Sequence, residues 1–206
     1  MDDINIIKEK IEIANLEDVI DILNIVKQNL IQVRDINRIS EESKRELEEQ
    51  GFLRKEIDKE YFENLITNSN SDIYIAKNKD NNIIGFASFH KKNYNIEKVR
   101  DITGNFFLKN DLTKELFHND TKAFAYLEQI SVLPEYKSQG IGTAIFQTIL
   151  SKIDYPIVAF IVEKPILNKA SREWHIYNGF EFVGTNISEY KGMDFKFQIF
   201  VNWNKK

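Results

Sequence analysis

Residues 130–143 read Ile130-Ser131-Val132-Leu133-Pro134-Glu135-Tyr136-Lys137-Ser138-Gln139-Gly140-Ile141-Gly142-Thr143, and the reading of this stretch decides the fold. An apolar strand enters a proline turn and leaves it through a Gly-x-Gly that opens a helix. The first backbone N–H groups of a helix have no partner within it, and the macrodipole adds partial positive charge at the same end. A phosphate-bearing ligand fits such an end, and glycine at 140 and 142 lets it come close to the backbone. The plain alternative is a strand-turn-helix corner whose glycines serve tight packing. Two other phosphate loops are excluded: there is no Gly-x4-Gly-Lys-Ser/Thr run, and position 145 is Ile where Gly-x-Gly-x-x-Gly needs glycine.

Beyond the glycines, Ala144, Ile145, Phe146, Ile149, Leu150 and Ile153 recur at spacings of three and four, the stripe of a helix packed on a sheet. A second informative stretch is Asn168-Lys169-Ala170-Ser171-Arg172-Glu173-Trp174-His175-Ile176-Tyr177-Asn178-Gly179-Phe180. Helical spacing puts Asn168, Ser171 and His175 on one face and Ala170, Trp174 and Tyr177 on another, the latter expected to pack in the core. Asn168 suits the helix entry as a cap, and Gly179 suits its end.

Together the two stretches resemble the acyl-CoA-binding motif of the GNAT superfamily of N-acetyltransferases. There a strand ending in Val-x-Pro leads to Arg/Gln-x-x-Gly-x-Gly/Ala, followed later by Asn-x-x-Ala/Ser, an aromatic or Leu with Tyr or His three and four residues on, and Gly-Phe. Val132-Leu133-Pro134 and Gly140-Ile141-Gly142 fit, as do Asn168, Ser171, His175 and Gly179-Phe180. Lys137 departs from the usual Arg or Gln; it keeps a donor and the charge but loses the planar fork. The resemblance implies acetyl-CoA as co-substrate, with its pyrophosphate on the amides of Ser138, Gln139, Gly140, Ile141, Gly142 and Thr143 beside Lys137. The stretch Ile130-Ser131-Val132 then lines the pantetheine arm, bonding it through the main chain of Ile130 and Val132, and Asn168 and Ser171 are polar contacts to CoA. At the His175 position the family commonly has a Tyr that protonates the departing thiolate; His175 is read as that acid, or as a CoA contact. Tyr177 is the second phenolic choice, with packing as its alternative role.

Composition narrows the class. In 206 residues, 42% hydrophobic and 12% aromatic, there is enough apolar material for one filled core. The net charge of −4 comes without a basic stripe, so a nucleic-acid partner is not expected. No apolar run reaches the ~20 residues of a membrane span, and Met1-Asp2-Asp3 is unlike a signal peptide. With no cysteine there is neither a structural disulfide nor a cysteine nucleophile, which fits a cytoplasmic setting. The three histidines, His90, His118 and His175, show no metal-ligand spacing, so no metal is expected.

Along the chain, Ile11–Ala14 reads as a strand. Asn15, Ser40 and Asp58 open three helices, the second strongly charged and ending near Gly51. Asp72–Ala76 and Ile83–Phe89 form a hairpin about a turn at 78–82. Further strands are expected at Ala123–Val132, Ile157–Val162, Phe180–Val183 and Phe195–Trp203. The expected fold is α/β: a GNAT-like central mixed sheet of about seven strands with helices on both faces. It is expected as one domain over residues 1–206, with an insertion at about 93–121. Short helices are expected in that insertion at Ile96–Ile102 and Leu112–Phe117.

In the family the amine attacks the thioester directly, so the reaction needs a base. Glu128 is the candidate: two residues before Ile130, its side chain shares a face with Tyr126 and Ile130. Apolar neighbours there would raise its pKa; a solvated strand carboxylate or a structural ion pair is the alternative. Tyr126 and Glu163 are further polar choices. The expected acceptor is a primary amine of a small molecule or peptide, and the protein is expected as a monomer or homodimer. A rival reading keeps the fold as a CoA-binding module without turnover.

Overall fold

A computed structural model describes residues 10–31, 36, 38–91, 106–119 and 122–204. Its strands are β1 (Lys10–Ile13), β2 (Ser71–Lys77), β3 (Ile83–His90), β4 (Phe107–Leu108), β5 (Ala125–Val132), β6 (Ile157–Lys164), β7 (Glu181–Tyr190) and β8 (Met193–Asn202). Its helices are α1 (Val19–Asn29), α2 (Glu41–Gln50), α3 (Lys59–Thr67), α4 (Asp111–His118), α5 (Ile141–Leu150) and α6 (Lys169–Tyr177). The strands form one mixed sheet in the order β1-β2-β3-β5-β6-β8-β7-β4. Among the described residues one strand more is present than the sequence predicts. The extra strand, β4, is two residues long and pairs with β7 through Phe107↔Thr185 and Leu108↔Gly184.

By its contacts the chain forms two compact units. The first holds residues up to Asn29, Ile57–Phe89 and Gln129–Ile153. In it the apolar faces of α1, α3 and α5 bury Ile22, Val26, Phe62, Leu65, Ile145, Phe146 and Ile149. Phe62 meets Phe86 edge-on at 5.8 Å between ring centroids. The helix starts follow the caps expected from sequence: Asn15 opens a short 3-10 turn, Leu16–Asp18, with a reciprocal bond to Asp18, and the Asp58 side chain accepts from Tyr61 N–H. The hairpin between β2 and β3 turns on Asn78, whose Oδ1 accepts from the amides of Asp80 and Asn82.

The second unit holds Leu30–Glu56, His90–Glu128 and Asp154–Lys206. Ser40 caps α2 and Gly51 ends it at φ 72°. Strands β7 and β8 form a long hairpin closed by Lys191-Gly192, both at positive φ, the backbone that two-residue hairpins with right-handed twist require. Strand β7 therefore runs on to Tyr190, well past Val183. A Cβ at Gly184 would lie 2.4 Å from Phe107 O, so glycine there is what lets β4 approach β7. Within 93–121, α4 matches the expected helix at Leu112–Phe117, and Asn110 caps it. The expected helix at Ile96–Ile102 lies outside the described residues. Among those residues, no helix is long and apolar enough to cross a membrane.

Candidate active site

Strand β5 alternates cleanly in burial: Ala125, Leu127, Gln129 and Ser131 are buried, while Tyr126, Glu128, Ile130 and Val132 are half-buried. This is the period of two that put Tyr126, Glu128 and Ile130 on one face. In the second unit β5 pairs in parallel with β6 through Ala125↔Ile157 and Tyr126↔Val158. Strand β6 is paired on its other edge with β8 from Ile157↔Asn202 to Lys164↔Lys196.

The Glu128 side chain is 9% exposed and its two oxygens have separate partners. Lys55 Nζ donates to Oε1 at 3.0 Å, and His90 Nε2 lies 2.9 Å from Oε2. The His90 ring stacks on Tyr126 at 5.7 Å and 10° between planes, and Tyr126 meets Phe160 edge-on. Burial raises the Tyr126 phenol above its ordinary pKa, the Glu128 charge adds to this and Arg54 opposes it. Tyr126 therefore keeps its proton across the ordinary pH range.

The segment before α3 supplies the cations. It is anchored where Ile31 N–H donates to Leu53 O at 2.8 Å. Arg54 then lies over the rings of Tyr190, Phe195 and Phe197, 4.7 to 5.1 Å from their centroids. Lys55 reaches Glu128, Glu56 pairs with Lys191 at 2.8 Å, and Glu56 N–H donates to Tyr190 OH. Glu163, the other carboxylate considered from sequence, pairs with Lys196 at 2.7 Å. His90 is weighed in the sequence only as a metal ligand, and Lys55 and Arg54 are not singled out there. Thirty-eight and 73 residues separate the first two from Glu128, and no local pattern marks such pairs.

In the first unit β5 ends in the glycine loop. Asn29 Nδ2 donates to Val132 O at 3.2 Å and to Ile25 O, tying the strand end to α1. Leu133 N–H donates to Ile84 O, and Pro134–Tyr136 form a 3-10 turn. Ser138 (φ 62°) and Gly140 (φ 87°) adopt left-handed backbone, Gly140 as the N-cap of α5. A Cβ on Gly140 would meet no atom within 4 Å. Among the described residues, no backbone carbonyl accepts from the amides of Ser138 to Gly142. The open approach at Gly140 and these amides fit a phosphate at the head of α5. Burial lowers the Lys137 pKa. Gly85 lets α5 sit close: a Cβ there would lie 3.2 Å from Ile141 Cγ2, Ser131 O and Val132 Cγ2.

Burial along α6 departs from the sequence reading at Tyr177, while Ala170, Ser171 and Trp174 are all half-buried. Asn168 and His175 are buried, at 7% and 3%, whereas Tyr177 is 82% exposed. Asn168 Oδ1 accepts from Ser171 N–H, and its Nδ2 donates to Phe52 O at 2.8 Å, so both ends of the amide serve the fold. His175 Nδ1 lies 2.7 Å from Ser171 O and 3.4 Å from Ser171 Oγ. Its ring touches Trp174 and Phe180 edge-on and lies near Phe200. Burial pushes the His175 pKa down to about 4, against the raising effect of the Ser171 carbonyl. The ring is neutral at pH 7, with Nδ1–H donating to that carbonyl. Asn168 and His175 are buried because their polar groups find partners in the fold; Tyr177 is not a core residue. Among the described residues, no three His, Cys, Asp or Glu side chains are grouped to hold a metal ion.

Comparison with known proteins bears on the family and the fold. Residues 33–175 match the model of the "Acetyltransferase (GNAT) family". No curated protein sequence matches the chain. Among solved structures, the ribosomal-protein-S18-alanine N-acetyltransferase of Escherichia coli is similar, with TM-score 0.60, 11% identity and coverage of 96% of this chain and 95% of that one. Arabidopsis thaliana NAA60 in complex with acetyl-CoA gives 0.59, 15%, 95% and 98%. The PaiA N-acetyltransferase of Thermoplasma acidophilum, in complex with coenzyme A, gives 0.56, 16%, 95% and 99%. At these identities the likeness concerns the fold.

Proposed function

Because the chain belongs to the GNAT acetyltransferase family, we propose that it moves the acetyl group of acetyl-CoA onto a primary amine of a small molecule or peptide, with Glu128 as the base. The observation that carries this reading is the Glu128 carboxylate itself, 9% exposed and held by Lys55 and His90 on strand β5. A carboxylate fixed by two partners is positioned to take a proton without reorganising.

The proposed step is direct. The amine lone pair attacks the thioester carbonyl, the N–C bond forms, the C–S bond breaks, and sulfur leaves as thiolate. The proton lost by the amine goes to Glu128, directly or through one water, with His90 at the other oxygen to pass it on. A thiol of ordinary pKa, about 8.5, leaves readily and takes its proton from solvent. His175, neutral and bonded to Ser171 O, supports its helix in this reading and is not needed as the acid. CoA is held by the loop: pyrophosphate on the amides of Ser138 to Thr143 beside Lys137, and pantetheine along the main chain of Ile130, Ser131 and Val132.

Thiol release from acetyl-CoA across a panel of amines tests the proposal. Turnover with wild type that is lost in Glu128→Gln supports it. The second reading, a CoA-binding module without turnover, is favoured by one observation: an ammonium, Lys55, already occupies Glu128. Calorimetric binding of acetyl-CoA with no thiol release on any amine would select that reading.

A further inference from the structure

Three carboxylates that lie near the Arg54 segment or the strands beside it are each taken by another cation. Glu128 holds Lys55, Glu56 holds Lys191, and Glu163 holds Lys196. Arg54 differs. Among the described residues its guanidinium forms no ion pair and no hydrogen bond; what holds it is the stack of Tyr190, Phe195 and Phe197. Those rings are themselves fixed. Phe195 is fully buried, Phe197 is 4% exposed, and Tyr190 OH accepts from Glu56 N–H. A half-buried guanidinium keeps five N–H donors in one plane. Stacking on aromatic faces steadies the charge but satisfies none of those donors. A half-buried fork held in place by the rings and without a protein acceptor matches the shape of a carboxylate, which it can bind with two parallel bonds.

Arg54 is adjacent in sequence to Lys55, whose ammonium sits on Glu128, and its charge is felt at both Glu128 and Tyr126. We infer that Arg54 selects the acceptor: the amine acetylated by this protein carries a carboxylate, which Arg54 binds while the amino group faces Glu128. The inference rests on the proposed reading of Glu128 as base and adds to it the chemical class of the acceptor, an amino acid rather than a simple amine. It assigns the aromatic stack of β7 and β8 a purpose as well, namely to hold a cation in place with its edge donors unspent.

The experiment compares amino acids with their own primary amides and decarboxylated amines, in wild type and in Arg54→Met and Arg54→Lys. Methionine keeps an unbranched chain against the rings. Wild type should favour the carboxylate-bearing member by roughly 10- to 100-fold in kcat/KM, the worth of charge-assisted hydrogen bonds. Arg54→Met should erase that preference, mainly through KM, whatever common change in rate both members of each pair share. Arg54→Lys should restore only part of it. Each ratio is taken within one protein, so a partly folded variant cannot mimic the result. Equal rates for acid and amide in wild type, or equal losses on both in Arg54→Met, overturn the inference. Calorimetry with N-acetyl amino acids and their amides reads the same contact without turnover. Binding that ignores the carboxylate overturns the inference, and acid-selective binding lost in Arg54→Met supports it. Absence of thiol release with every amine defeats the acetyltransferase reading alone.

Discussion

Glu128 Oε2 lies 2.9 Å from His90 Nε2, a contact between the middle of β5 and the last residue of β3. The carboxylate's other oxygen takes Lys55, so one side chain joins two strands and the segment before α3. Burial makes this costly to break: a carboxylate that is 9% exposed needs partners to remain charged. The proposed chemistry depends on how those partners set its affinity for a proton.

Lys55→Met removes the cation at 3.0 Å. A nearby positive charge favours the ionised carboxylate, so its loss makes Glu128 easier to protonate. The acid limb of the kcat/KM profile should move to higher pH, with less change on the plateau. A profile that keeps its acid limb while the whole curve drops would show Lys55 to be structural only.

Gly140→Ala tests the glycine loop. The residue caps α5 at φ 87°, where an L side chain costs about 1 kcal/mol or more. Its Cβ would meet no protein atom within 4 Å and would instead occupy the approach to the amides. Calorimetry should show acetyl-CoA binding weakened by roughly 10-fold, about what losing one charge-assisted hydrogen bond costs. A melting temperature that falls with no change in affinity would contradict the phosphate role.

His175→Gln tests the buried imidazole through stability. The folded pKa of about 4 lies below the ordinary 6.5, so between these values the unfolded chain binds the extra proton. Stability is therefore fully present above pH 6.5 and is lost as pH falls toward 4, by up to about 3 kcal/mol. Urea unfolding of wild type at pH 7.5 and 4.5, beside the variant, isolates this part. The variant should show a smaller fall; an identical pH dependence would mean the ring is not held neutral.

Local signals were legible in the sequence and long-range ones were not. Asn15, Ser40, Asp58 and Asn168 cap helices because capping involves only the next few residues. The glycine loop and the alternation of β5 are equally local. Tyr177 on α6 was misread because spacing separates two faces without saying how deeply each position lies. Asn168 is buried on the polar face, since it reaches Phe52 O, 116 residues away in the chain. Strand β4 escaped notice because two residues carry no periodicity; Gly184, which admits it, reads like any other strand glycine. Glu128 was singled out from its place before the loop, and its role is a proposal. Its ion pairs and the Arg54 stack depend on which residues the fold brings opposite β5 and β8, and a single sequence does not state that.

Whether Glu128 takes the amine's proton is read from Glu128→Gln with CoA binding intact. Calorimetry and thiol release are measured on the same samples. Acetyl-CoA affinity should stay within about 3-fold of wild type while kcat/KM for the amine falls by roughly 10²- to 10⁴-fold, the range for a general base. Turnover that survives in Glu128→Gln at near wild-type rate would contradict that role for Glu128.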